Sequence, residues 1–292
     1  MAQIHQLQHG WVTPAISYVL SVLGSMLGLT CALRQRTATT RRGRIWWLVM
    51  GSVSLGGTAI WSMHFVGMLG FGVVGTAIRY NVGLTVASAI IAIVAVGLGL
   101  SITTLGGGRA RNARVIAGGI IAGLGIAAMH YIGIAAMRLN GDIEYSKVRV
   151  ALSVVIALVA ATVALWLAIT VRRPLTVFAA ALIMGVAVNG MHFTGMSAMS
   201  VEEHSSLTQP SGATGTSLIV PIGVALLFAV VGLGYALLAA PTDEDRAAAA
   251  YLAGRRTGGL ASTGPDPNQP QIPGDRRNGA LGSGSWTYRD RS

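Results

Sequence analysis

Seven apolar stretches, each long enough to cross a membrane, constrain this chain more than any other feature. A helix needs about 20 residues to span roughly 30 Å of hydrocarbon. Charged residues make up only 11% of the 292 residues, and the mean hydropathy is +0.61, so too little charge is present to cover a soluble domain. The sequence predicts an all-α integral membrane protein with seven transmembrane helices, at about residues 12–33, 46–69, 81–105, 115–137, 148–171, 175–199 and 217–240.

The loop charges predict an orientation for these helices. The loops after the first, third and fifth helices contain ten Lys and Arg residues, whereas the loops on the other side contain four. Because cytoplasmic loops carry the excess of positive charge, we expect the N-terminus outside and the C-terminus in the cytoplasm. The net charge of +11 arises from these loops and from the C-terminal arginines, so we expect no nucleic-acid binding. Trp46, Trp47 and Tyr80 are predicted to anchor helices at the membrane interface.

The chain divides by composition into a membrane domain, residues 1–240, and a tail, residues 241–292. The tail is rich in Gly, Pro, Ser and Arg and has no sustained apolar period, which is typical of disorder. Such a tail is too short for a catalytic domain. The predicted helices contain neither a nucleophile–base pair nor an acidic dyad, so we expect no enzymatic activity. A retinal Schiff base needs an intramembrane lysine, and the only lysine, Lys147, lies at a loop edge.

One short motif occurs three times along the chain. Its copies are Trp61–Met68, Ala128–Met137 and Gly190–Met199, and their histidines are separated by 66 and 62 residues. Each copy ends an even-numbered predicted helix, after a basic loop and a preceding apolar helix. The sequence therefore predicts three repeated helix pairs followed by one final helix.

On a helix, the residues four and seven positions after each histidine share its face. This projection predicts three stripes near the outer membrane face: His64 with Met68, His130 with Met137, and His192 with Met196 and Met199. Each motif also has a glycine three positions after its histidine, which we expect to leave a gap beside the imidazole for a neighbouring backbone or a ligand. These glycines are Gly67, Gly133 and Gly195.

The three motifs, their spacing and the seven-helix pattern resemble the MHYT family of bacterial membrane sensor domains over about residues 9–240. The resemblance implies a multi-pass protein of the inner (cytoplasmic) membrane that senses oxygen, carbon monoxide or nitric oxide through copper near the outer face. Family members are often fused to cytoplasmic signalling regions. We expect any cytoplasmic signalling partner of this chain to act in trans. The sequence departs from the family pattern at Ile134 and Phe71, which replace motif methionines.

The residue types in the stripes suit copper, because thioethers select Cu(I) and imidazoles accept both oxidation states. The predicted ligands are His64, Met68, His130, Met137, His192, Met196 and Met199. Candidate auxiliary ligands are the methionines that precede each motif histidine and the histidines of the outer segments: Met63, Met129, Met191, His5, His9 and His204.

Other interpretations of these residues stay open. Met is an adaptable filler of helix interfaces, and His forms hydrogen bonds between membrane helices, so the motifs are also compatible with packing alone. A copper uptake or handling protein would use the same outer methionines. A membrane haem protein would use His and Met as axial ligands.

Overall fold

The computed structural model describes residues 4–5, 10–74, 76–104, 110–203, 210–238 and 251–252. Contacts divide the chain into two units, Met1–Ala240 and Pro241–Ser292. The fold below is that of the first unit. The predicted disorder of the tail falls, apart from residues 251–252, outside the described residues.

The described residues contain seven helices that are long and apolar enough to span a membrane, as predicted. The second span is the only one among the described helices built from three successive pieces. The helices are α1 (Val12–Thr37), α2 (Arg41–Ser52), a π-helix (Val53–Ser62), α3 (Met63–Leu69), α4 (Val82–Thr104), α5 (Arg111–Ala135), α6 (Lys147–Thr170), α7 (Pro174–Met196) and α8 (Ile219–Leu238). Helix α2 begins earlier than predicted because Thr40 caps it, its side-chain oxygen accepting a hydrogen bond from the backbone N–H of Gly43 at 3.1 Å.

The first six spans form a closed ring. Each span packs against the next along the chain, and α1 closes the ring by packing against α7. Helix α8 is not a member of the ring, since it packs against α1 and the π-helix. The three spans that carry the motifs alternate around the ring with α1, α4 and α6. This alternation lets the three motifs meet at its centre.

Glycines bring neighbouring helices close together at five of the six seams of the ring. A methyl group at any of these positions would overlap the neighbouring helix. Small residues at such interfaces are what allows membrane helices to pack closely. The positions are Gly24 on α1 against the π-helix, Gly56 on the π-helix against α4, Gly118 on α5 against α4, Gly123 on α5 against α6, and Gly185 on α7 against α1. Among the described residues, the α6–α7 seam has no such glycine.

The π-helix of the second span directly precedes the first motif. The sequence pattern of a π-helix does not differ from that of an α-helix, so the sequence predicts an uninterrupted α-helix here. Its Thr58 hydroxyl donates a hydrogen bond to the Ala225 carbonyl of α8 at 3.2 Å. Helix α8 is thereby connected to the first repeat.

Short strands cover one end of the ring, and we call them the strand cap. They are β1 (Ile4–His5), β2 (Gly72–Val73), β3 (Arg79–Tyr80), β4 (Met137–Arg138), β5 (Gly141–Tyr145), β6 (Met199–Glu203) and β7 (Ala213–Thr214). Antiparallel pairing gives a β1–β2 sheet, a β4–β3–β7 sheet and a β5–β6 sheet. The pairing brings the N-terminal segment and three loops to the same end, as the two spans between each successive pair of these segments require.

The strand cap corrects two sequence-based predictions. The fourth and sixth spans end at Ala135 and Met196, so Met137 and Met199 lie in strands instead of continuing a helical stripe. Tyr80 is not an interfacial anchor, because it is buried in the cap with its ring 6.1 Å from that of Phe65. This burial raises the pKa of Tyr80.

We expect the strand cap to face outward and the arginine-rich loops to face the cytoplasm. In a Cys31→Ser background, a cysteine at the exposed Glu202 should react with an impermeant maleimide added to intact cells. A cysteine at the exposed Arg42 should react only after the cells are opened. The opposite labelling pattern would contradict the orientation inferred from the loop charges.

Candidate metal centre

Three histidines meet at the centre of the ring, just below the strand cap. His64 lies on α3, His130 on α5 and His192 on α7, and each side chain is 1% exposed. Each imidazole packs edge-on against the aromatic ring that follows it in sequence, with centroids 4.9–5.0 Å apart. The three repeats therefore hold their histidines in the same local geometry.

The three imidazoles converge through their Nδ1 atoms. The Nδ1 atom of His64 lies 3.0 Å from that of His192 and 3.1 Å from that of His130. The ring centroids are 4.8–5.3 Å apart, with interplanar angles of 67–90°. One ring nitrogen from each histidine can be chosen so that all three nitrogens lie within 4.8 Å of one another. We call these residues the histidine cluster.

Hydrogen bonding alone does not satisfy this cluster. A neutral imidazole nitrogen offers one N–H or one in-plane lone pair, so the Nδ1 of His64 cannot accept from both neighbours. The Nε2 atoms of all three rings are buried without a hydrogen-bond partner. With the protons on Nε2, three Nδ1 lone pairs converge on one point, which is the arrangement that a metal ion requires.

The spacing of the nitrogens is close to that of a metal site. Two imidazole nitrogens on one ion, each about 2.0–2.1 Å from it, lie about 3.3–3.6 Å apart in trigonal or tetrahedral geometry. The observed separations of 3.0 and 3.1 Å reach this range if the rings move apart slightly. The residues present therefore fit a single ion.

The motif glycines accommodate the histidines of other repeats. A methyl group at Gly133 would overlap the Nε2 of His64, one at Gly195 the Nε2 of His130, and one at Gly67 the Nε2 of His192. The expected gap beside each imidazole is thus present, but a glycine from another repeat provides it. Each repeat holds the histidine of the preceding one in a closed cycle of three. This cycle is a contact that no single motif reveals.

An apolar cavity of about 50 Å³ lies beside the histidine cluster, on the side away from the strand cap. Its lining includes the three cluster histidines and the methionines that precede them, Met63, Met129 and Met191. The three methionines named above as candidate auxiliary ligands therefore lie beside the histidine cluster.

The other predicted thioether ligands are all buried, but none is among the described residues that line this cavity. Met68 lines a separate pocket of the strand cap, with Phe71 and Tyr80. Met196 ends α7, while Met137 and Met199 pair across strands with Tyr80 and Tyr145. The side chains of His5, His9 and His204 fall outside the described residues.

Sequence reasoning missed the remaining walls of the cavity. Helix α6 contributes alanines at positions 157, 160, 161 and 164, and α1 contributes Ser25, whose hydroxyl has no hydrogen-bond partner. The spacing of these alanines places them on one face of a helix, and this spacing was a usable signal. It was overlooked because alanines are common throughout the chain.

Comparisons with known proteins place the motifs in a family. The family described as "Bacterial signalling protein N terminal repeat", MHYT, matches residues 57–118, 123–181 and 185–254. No solved structure matches the chain.

Curated relatives include two proteins of Pseudomonas aeruginosa. The chain is 37% identical over 192 residues to the bifunctional diguanylate cyclase/cyclic di-GMP phosphodiesterase MucR, covering 64% of this chain and 27% of that protein. It is 34% identical over 203 residues to the cyclic di-GMP phosphodiesterase NbdA, covering 66% of this chain and 25% of that protein. An uncharacterized signaling protein of Caulobacter vibrioides is 32% identical over 68% of this chain and 24% of its own length. The matched region thus spans about a quarter of these relatives.

Proposed function

Since the chain belongs to the MHYT family of bacterial signalling-protein repeats, we propose that it is a membrane sensor domain that binds copper through His64, His130 and His192. The observation that carries this proposal is the convergence of three buried Nδ1 atoms, at 3.0 and 3.1 Å, on rings whose Nε2 atoms have no partner. With the protons on Nε2, the three buried Nδ1 lone pairs have no hydrogen-bond donor, which is costly, and a shared ion would bind all three.

The chemistry of the donor set favours copper, in particular Cu(I). Imidazole and thioether are the groups available, and thioether selects soft ions. Among the described residues, the group that could hold a metal ion consists of three histidines, without a carboxylate or thiolate. Neutral ligands leave the charge of the ion uncompensated, so burying a monovalent ion costs less than burying a divalent one. A cavity of about 50 Å³ suits a single ion and a small ligand better than a porphyrin, which favours copper over haem.

The proposed signal is a diatomic gas, namely oxygen, carbon monoxide or nitric oxide, or a change of redox state. Bound copper would supply a one-electron couple and a coordination position for such a ligand. The histidine cluster would hold the ion between three repeats, so a change in the ion's preferred geometry would move α3, α5 and α7 relative to one another. The signalling relatives favour this role over copper uptake or handling.

The output is proposed to reach a cytoplasmic signalling partner in trans, with the C-terminus on the cytoplasmic side of the inner membrane. Helix α8 is the last span and contacts the π-helix of the first repeat. The relatives with named enzymatic activities match this chain over only about a quarter of their length. We therefore assign sensing, and no catalytic step, to the membrane domain.

Metal analysis of the purified protein, combined with an absorption spectrum, tests this function. We expect about one copper ion per chain, since the three histidines form one cluster. The Cu(I) form should lack a Soret band and respond to carbon monoxide. A Soret band would indicate haem instead, and a protein that takes up no metal under either redox condition would contradict the proposal.

The methionines beside the cavity should matter more for Cu(I) affinity than those in the strand cap. Replacing Met63, Met129 and Met191 together with leucine should lower Cu(I) affinity, because leucine preserves volume but has no sulfur donor. The matched triple replacement of Met68, Met137 and Met199 should leave the affinity unchanged. A Cu(I) competition titration measures both, and a larger loss in the second variant would restore the originally predicted stripes.

A further inference from the structure

The apolar cavity beside the histidine cluster opens sideways, towards the lipid. Most of its described lining residues are buried. The exceptions are Ala160 and Ala164 on α6 and Ala187 and Val188 on α7, which are half-buried. All four lie near the middle of their helices, and Ala160 and Ala187 lie on the edges of α6 and α7 that face the seam between them, so the opening lies at the depth of the hydrocarbon core.

The α6–α7 seam is also the one described seam of the ring that no glycine contact closes. Elsewhere, a glycine of one helix contacts the neighbouring helix closely, whereas here alanines and a valine of α6 and α7 line the cavity. The opening and the missing glycine contact are independent observations. Both identify the same pair of helices.

The size and chemistry of the cavity select its occupant. An engineered apolar cavity of about 150 Å³ stays dry and binds benzene or xenon, and this cavity has about one third of that volume, about 50 Å³. Apart from the imidazoles, Ser25 supplies the one polar side chain among the described lining residues. An ordered water needs about two to four polar partners, so water is disfavoured and a lipid chain is too large.

We propose that this cavity binds a small apolar gas molecule and admits it from the bilayer interior through the α6–α7 seam to the histidine cluster. This inference deepens the proposed function and rests on it only for the identity of the gas that is sensed. Apolar solutes leave water for hydrocarbon, so the bilayer supplies such a gas at the depth of the opening. The strand cap then need not open for the gas to enter.

Xenon binding to the metal-free protein in lipid nanodiscs tests the cavity directly. We expect saturable binding, seen by xenon NMR, in the wild-type protein and its loss in the A160L/A187L variant, in which larger side chains fill the opening. The matched control is A151L/A179L, which places the same substitutions at exposed positions on the same two helices and should bind xenon normally. Equal binding by both variants, or no saturable binding by the wild-type protein, would overturn the proposal.

Two further measurements keep the outcome clear. If A160L/A187L does not fold, Ala164→Leu alone must weaken xenon binding, and unchanged binding overturns the proposal. In copper-loaded protein, carbon monoxide should associate more slowly with A160L/A187L than with A151L/A179L, and equal rates would contradict entry through the seam. Saturable xenon binding in a protein that takes up no copper would overturn the proposed function while supporting the cavity.

Discussion

Replacing any one of His64, His130 and His192 with alanine should remove most of the bound copper, and replacing two should remove little more. The Nδ1 of His64 lies within 3.1 Å of both other Nδ1 atoms, so under the proposed function all three side chains would bind one ion. Residues that form one unit show strongly non-additive effects. Metal content after gel filtration, measured on the three single and three double variants, checks this result.

The control variants are His9→Ala and His204→Ala, which remove histidines outside the described residues. They should retain the metal, which would show that the loss is specific to the histidine cluster. Copper falling by equal thirds in the single variants would instead mean three independent sites, one in each repeat. That result would mean that the histidine cluster does not bind a single shared ion.

Replacing Gly67 with alanine should destabilise the protein through His192, a residue of a different repeat. The new methyl group would overlap the Nε2 of His192, and overpacking a tight site costs about 1–3 kcal/mol. Thermal unfolding in detergent measures the cost. The matched control is Gly190→Ala on α7, because a methyl group there meets nothing within 4 Å.

A double-mutant cycle identifies which histidine the methyl group displaces. The cost of Gly67→Ala should fall when His192 is also replaced with alanine, since the overlapping ring is gone. The same cost should persist in the His64→Ala background, although His64 lies in the same motif as Gly67. The reverse pattern would mean that each glycine serves its own histidine.

Much of the architecture could be predicted because each span carries its signal locally. Twenty apolar residues define a membrane helix wherever they occur, and three copies of one motif indicate three helix pairs. Small-residue spacing is local as well: the pairs Gly24 with Gly28 and Gly119 with Gly123, each four residues apart in the sequence, predict close helix packing in a membrane. The structure confirms both pairs, since methyl groups there would overlap the neighbouring span.

Two kinds of feature were not predicted: the contacts between different repeats, and the path of the chain after a helix ends. The stripes assumed that α5 and α7 continue to Met137 and Met199, but pairing with Tyr80 and Tyr145 draws those residues into strands. The destination of each histidine ring depends on which repeat lies beside it. A single motif contains no information about that neighbour.

The π-helix removes the equivalence of the three repeats. A cluster of three similar histidines has no preferred direction, so a disturbance at its centre would spread equally to every side. The wider turn occurs only before His64 among the described repeats, and α8 contacts this segment through Thr58 and Ala225. One inserted irregularity thus gives the domain a polarity: three repeats contribute to the histidine cluster, and the π-helix of a single repeat contacts α8.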